Sequence, residues 1–120
     1  MEVQIFGVRK SADTRAALRF FAERRIKTHF VDLNERAASL GELRRFAQQF
    51  GVQSLIDRNA KRFTELGLES ALLSEERWLD KLTLEPQLLR MPLVRHHRQV
   101  TVGPAEETWR AWVAAARASG

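Results

Sequence analysis

Apolar and polar residues change their spacing along this chain in a definite order. A short apolar run, Gln4 to Val8, is broken by Arg9-Lys10-Ser11-Ala12-Asp13 and reads as a strand. Ala17, Leu18, Phe21 and Ala22 then fall at three- and four-residue spacing, which predicts a helix capped by Ser11 or Asp13. Arg24 and Arg25 close it, where positive charge suits the helix dipole. From Thr28 to Leu33, His29, Val31 and Leu33 alternate with Phe30 and Asp32, the period of a second strand. A strand–helix–strand unit normally gives two parallel strands with a right-handed crossover.

The middle of the chain has a helical period. Leu40, Leu43, Phe46, Ala47 and Phe50 form one stripe, and Gly51 is placed to cap it. A short segment, Ser54 to Asn59, is followed by Ala60 to Leu66, ending at Gly67. Ser74 caps a further helix, with Glu75 and Glu76 in its first turn and Trp78, Leu79 and Leu82 turned inward. After Pro92, Leu93-Val94 and Val100-Thr101-Val102 predict an antiparallel hairpin turning at His96-His97-Arg98. Gly103-Pro104 predicts a last helix with proline at its first position, Glu106-Glu107 in its first turn, and Trp109, Trp112, Val113 and Ala116 as its buried stripe. The expected fold class is α/β, a mixed sheet in the order β-α-β, helical insertion, β-β-α. The expected organisation is a single domain over 1–120 with the helical block at about 38–88.

Composition narrows the chemistry. The 120 residues include no cysteine, which removes disulfides, thiolate nucleophiles and zinc–sulfur sites. Three histidines remain, and the adjacent pair His96-His97, if on a strand, points to opposite faces. No metal site and no cofactor is expected. No stretch has the length of an apolar membrane span, and the N-terminal residues read as a strand and not as a signal peptide, so the expected location is the cytoplasm without a membrane partner. The net charge of +5 comes from arginines scattered among glutamates along helices, the pattern of a solvated surface. Nucleic acid is the least expected partner, because no base-reading motif or stacking platform is visible.

The motifs carry a resemblance. Ile5-Phe6 followed by Ser11-x-x-Thr14-Arg15, then Leu55-Ile56-Asp57-Arg58-Asn59 with Phe63-x-x-Leu66-Gly67-Leu68, resembles the arsenate reductase and Spx-type family. The segment Pro86-x-Leu88-Leu89-Arg90-Met91-Pro92-Leu93-Val94 and the pair Val102-Gly103 with Glu106 continue it in order over nearly the whole chain. The resemblance implies a thioredoxin-like fold and a cis proline at Pro92. It also implies a nucleophile position at Ser11, and arsenate reductase or glutathione-dependent oxidoreductase chemistry. Spx-type relatives bind RNA polymerase, so a regulatory protein partner is a second implication.

Three departures stand against that chemistry. Ser11 occupies the position of the family's cysteine. Helix-end stabilisation of about 0.3–2 kcal/mol shifts a pKa by less than about two units, too little to make a serine hydroxyl a comparable nucleophile without a base. Met91 stands directly before the proline, where the reductases carry an oxyanion-binding arginine; Arg90 comes one residue early, which in an extended segment turns it to the other face. Asp57 falls where a further catalytic arginine is implied, followed by Arg58 and Asn59. The expectation is therefore a non-catalytic binding or regulatory protein. Its anion-site candidates are Ser11, Thr14, Arg15, Arg58 and Arg90, facing a small anion or a glutathione-like ligand.

Overall fold

The computed structural model describes residues 1–119. Strand β1 (Glu2–Gly7) is followed by α1 (Ala12–Glu23) and β2 (Lys27–Asp32). Helices α2 (Leu40–Phe50), α3 (Lys61–Glu65) and α4 (Glu75–Leu84) then stand between β2 and the hairpin β3 (Leu93–His96) and β4 (Gln99–Val102). Helix α5 (Glu106–Ser119) ends the described chain. The sheet order is β2-β1-β3-β4. β1 and β2 are parallel with Ile5 opposite Phe30, and β1 and β3 are antiparallel with Ile5 opposite Val94. The chain therefore has the mixed α/β arrangement of a thioredoxin-like protein. No helix among the described residues is long and apolar enough to cross a membrane.

Side-chain alternation on the strands builds two apolar layers, one on each sheet face. Val3, Ile5 and Val94 pack with Phe20 and Phe21 of α1 and with Trp109 and Trp112 of α5. Phe6, Leu93 and Val100 pack on the opposite face against Leu43 and Phe46 of α2 and Trp78, Leu79 and Leu82 of α4. Both C-terminal tryptophans are buried, and Trp109 Nε1 donates to Thr101 Oγ1 at 2.9 Å, which satisfies its one polar atom. Ala116 is only half-buried.

Two local expectations are corrected. Pro104 does not open α5, which begins at Glu106; the first turn is tied instead by Trp109 N–H donating to Ala105 O at 3.0 Å. His96 is the last residue of β3, so the hairpin turns on His97 and Arg98 alone. His97 has φ +55°, which breaks the strand alternation and brings the His96 and His97 rings within 4.5 Å instead of onto opposite faces. No group of metal-ligating side chains forms among the described residues.

The helical block carries its own fastenings. Ser39 Oγ accepts from Glu42 N–H at 3.1 Å while Ser39 N–H donates to Glu42 Oε1 at 2.8 Å, a reciprocal capping box at the start of α2. Arg62 on α3 donates two hydrogen bonds of 2.9 Å to the Glu85 carboxylate beyond α4. The Arg62 guanidinium holds the Glu85 carboxyl below its usual range, and Arg36 does the same for Glu42. A carboxyl whose folded pKa lies below its unfolded value adds stability at neutral pH, lost as the pH falls through the folded value. The unfolding midpoint is therefore expected to drop as the pH falls below about 4.3, the ordinary glutamate value. Glu42→Gln with Glu85→Gln should flatten that acid limb and lower the midpoint at pH 7, as urea titrations across pH 2 to 7 would show.

Candidate functional site

The loop between β1 and α1 sits at the C-terminal edge of the sheet. Ser11 N–H donates to Val8 O at 3.0 Å, and Ser11 Oγ accepts from Thr14 N–H at 3.1 Å. Ser11 is thus the N-cap of α1 and uses its hydroxyl on one of the helix's free amides. Its side chain also lines an open cleft of about 1080 Å³. The far wall comes from the segment Gln53 to Asn59 and from the stretch Pro86 to Met91 ahead of β3. The Met91–Pro92 peptide is cis.

Among the candidates, Ser11, Arg58 and Arg90 line this cleft, together with Lys10. Thr14 does not. It is fully buried under β1, where a Cβ on Gly7 would collide with its side chain. Its Oγ1 has no hydrogen-bond partner, and the absence of a side chain at Gly7 lets α1 lie this close to the strand. Arg15 does not reach the cleft either. Its Nη1 donates to Arg9 O at 2.8 Å and to Lys10 O at 3.0 Å, so it braces the loop from outside. Arg58 donates to Gln53 Oε1 and lies 5.4 Å from the Phe63 ring centre, which holds it at the rim.

Arg90 does not follow the alternation of an extended strand. Arg90 N–H donates to Leu55 O at 2.8 Å, beside an isolated antiparallel bridge between Leu89 and Ile56, and the residues from Arg90 to Pro92 belong to no strand. Arg90 and Met91 therefore both line the cleft. The Arg90 side chain passes over Gly103, with Nε only 2.9 Å from where a Cβ at that position would sit. Gly103 itself has φ +72°. A side chain at position 103 would be strained by that φ and would crowd Arg90.

Asp57 also lines the cleft, but its carboxylate is committed locally. Asp57 Oδ1 accepts from Asn59 N–H at 3.0 Å, and Asp57 N–H donates to Leu88 O at 2.8 Å. The cleft charges are therefore Lys10, Arg58 and Arg90 against Asp13 and Asp57. Asn34, Gln53 and Gln87 add amide groups from three separate segments. No motif marked these three, because only the tertiary fold brings them to one wall. Such a cleft can hold a small anion by hydrogen bonds and charge. It offers no thiolate, and among the described residues no side chain accepts a hydrogen bond from the Ser11 hydroxyl, which itself accepts from Thr14 N–H.

No curated protein sequence matches this chain. Solved structures do. The YffB protein superposes with a TM-score of 0.83 at 19% identity, covering 91% of this chain and 96% of that one. An arsenate reductase from Vibrio cholerae gives a TM-score of 0.79 at 25% identity, covering 90% and 94%. A protein from Bacteroides fragilis described as related to the ArsC family gives 0.80 at 22%, covering 92% and 98%. The sequence profile of the ArsC family matches residues 6–112, from the end of β1 into α5. By that match over most of its length, the chain belongs to the ArsC family.

Proposed function

We propose that this chain is a non-catalytic ArsC-family protein that binds a small anion, or the anionic end of a glutathione-like thiol, in the cleft beside Ser11. One observation carries the reading: a serine stands at the nucleophile position of a chain with no cysteine anywhere. Arsenic–thiol and disulfide chemistry both need a sulfur nucleophile that can be oxidised and reduced. A serine hydroxyl forms neither bond. The cleft meanwhile keeps Lys10 and Arg90 free of carboxylate partners, which supports anion binding without turnover. A regulatory role through a protein partner fits the same reading.

The test is arsenate reduction with glutathione and glutaredoxin present. The expected rate equals the blank without protein. A rate above the blank that disappears in Ser11→Ala would establish the alternative, an arsenate reductase-like or glutathione-dependent oxidoreductase acting through Ser11. Binding is tested separately by sulfate titration followed by NMR. Arg90→Ala is expected to weaken sulfate about ten-fold or more, the loss of one charge-assisted contact. Gly103→Ala should cost a similar factor by displacing the Arg90 side chain, and the double variant should lose little beyond either single one. Thermal melts of each variant separate this effect from a loss of folding.

A further inference from the structure

The fold gathers at one pole the positive charge that the sequence scatters. β1 begins at this pole and ends at Gly7 beside the cleft, so the pole lies at the opposite end of the strands from Ser11. Parallel β2 begins there with Lys27, just after Arg24 and Arg25 at the end of α1. Antiparallel β3 ends there in the hairpin carrying Arg95, His96, His97 and Arg98. α5 ends there with Arg117, whose Nη2 donates to Arg24 O at 3.2 Å. His96 Nδ1 lies 3.0 Å from Glu2 O, and Lys27 Nζ lies 3.5 Å from Glu2 Oε1, which ties the hairpin to β1 and β2. Against these cations stand the carboxylates of Glu2 and Glu23.

The arginines are held in two ways, and backbone carbonyls also hold Arg15 beside the cleft. Arg36, Arg44, Arg62 and Arg110 pair with carboxylates. At the pole, backbone carbonyls hold the guanidinium groups. Arg24 Nη1 donates to Phe20 O at 3.0 Å with its guanidinium 3.6 Å from the Phe20 ring centre, and Arg95 Nε donates to His97 O at 2.7 Å. Each such bond uses one of five donors and leaves the charge uncompensated. The result is a set of oriented, unneutralised guanidinium forks, the geometry that suits phosphate. Gln49 Nε2 reaches Arg98 O at 3.5 Å, and the next residue, Phe50, is 43% exposed, the one aromatic among the exposed large apolar side chains of the described residues.

We infer that this pole is a docking surface for single-stranded nucleic acid, with phosphates on the arginines and a base stacked on Phe50. The strands that flank β1 stand roughly 10 Å apart, room for a few consecutive phosphates of one strand. An acidic peptide is the less suited occupant, because the pocket beside Phe20 and Arg24 is also lined by Asp13, Glu23 and Glu106, which repel carboxylates, and a peptide of acidic residues makes no use of the exposed Phe50 ring.

The experiment is fluorescence anisotropy of the whole protein with a labelled oligothymidine at low salt. Saturable binding is expected, with log K falling against log salt at a slope of about −2 for three phosphates. Arg25→Glu with Arg98→Glu should weaken binding at least ten-fold, and Phe50→Ala should weaken it about five-fold or more, the loss of one base stack. Lys61→Glu with Arg77→Glu makes the same change in net charge away from the pole and should alter binding less than two-fold. Equal losses from the two double variants would reduce the effect to net charge and overturn the proposal. So would the absence of binding at 50 mM salt, or a polyglutamate peptide that binds as tightly as the oligonucleotide. Matching melting curves for all variants keep the comparison free of unfolding.

Discussion

Phe6→Ala is expected to lower the stability of this protein by about 3–5 kcal/mol, the cost of a large buried aromatic removed from a packed core. Phe6 is 1% exposed on the second strand from the sheet edge. Its ring meets Phe46 of α2 edge-to-face, with centroids 5.9 Å apart and planes at 88°. It therefore joins the sheet to the helical block that forms the far wall of the cleft. The neighbours Leu43, Leu93 and Val100 belong to rigid elements that cannot collapse into the space left behind. Against a total stability of about 5–15 kcal/mol, such a loss leaves a marginal fold. Urea unfolding followed by circular dichroism would measure it. A loss below 1 kcal/mol would mean that α2 is not docked through this contact.

Ser11→Cys is expected to create a reactive thiol without creating an arsenate reductase. The backbone amide of Thr14 that now donates to Ser11 Oγ would donate to the sulfur, and the α1 N-terminus would favour its anion. Its pKa should fall below the ordinary thiol value by about one unit, read from the pH dependence of iodoacetamide alkylation. Arsenate turnover with glutathione and glutaredoxin should stay at the blank. Arg15 has its guanidinium on the carbonyls of Arg9 and Lys10, Arg58 is held at the rim, and Met91 brings no charge beside Pro92. Orientation of the anion against the sulfur is a large part of such catalysis. Turnover restored by this single change would show that the nucleophile alone had been lost and that Arg90 and Lys10 suffice to orient arsenate.

Much of the fold was legible because it is written in local pattern. The periods of two and 3.6 located all four strands and the helices with the strongest apolar stripes, and Ser11 and Ser74 were readable as caps because their hydroxyls serve amides three residues away. The site was less legible. Thr14 and Arg15 share a motif with Ser11, yet helix geometry turns Thr14 under β1 and swings Arg15 outside the loop. Spacing in sequence does not say which side of a helix end meets the cleft.

What the sequence determined by itself is the chemistry that is missing. Without cysteine there is no thiolate, wherever the residues fold. It also determined the order of elements, since hydrophobic periodicity is local. Only the tertiary structure decided where the arginines act. Arg90 enters the cleft because the segment before Pro92 is irregular and Gly103 leaves it room. Arg24, Arg95, Arg98 and Arg117, far apart in the chain, meet at one pole because α1, β3 and α5 all end there and β4 turns back from it. Charge acts through distance in space, and strand direction sets that distance where spacing along the chain does not.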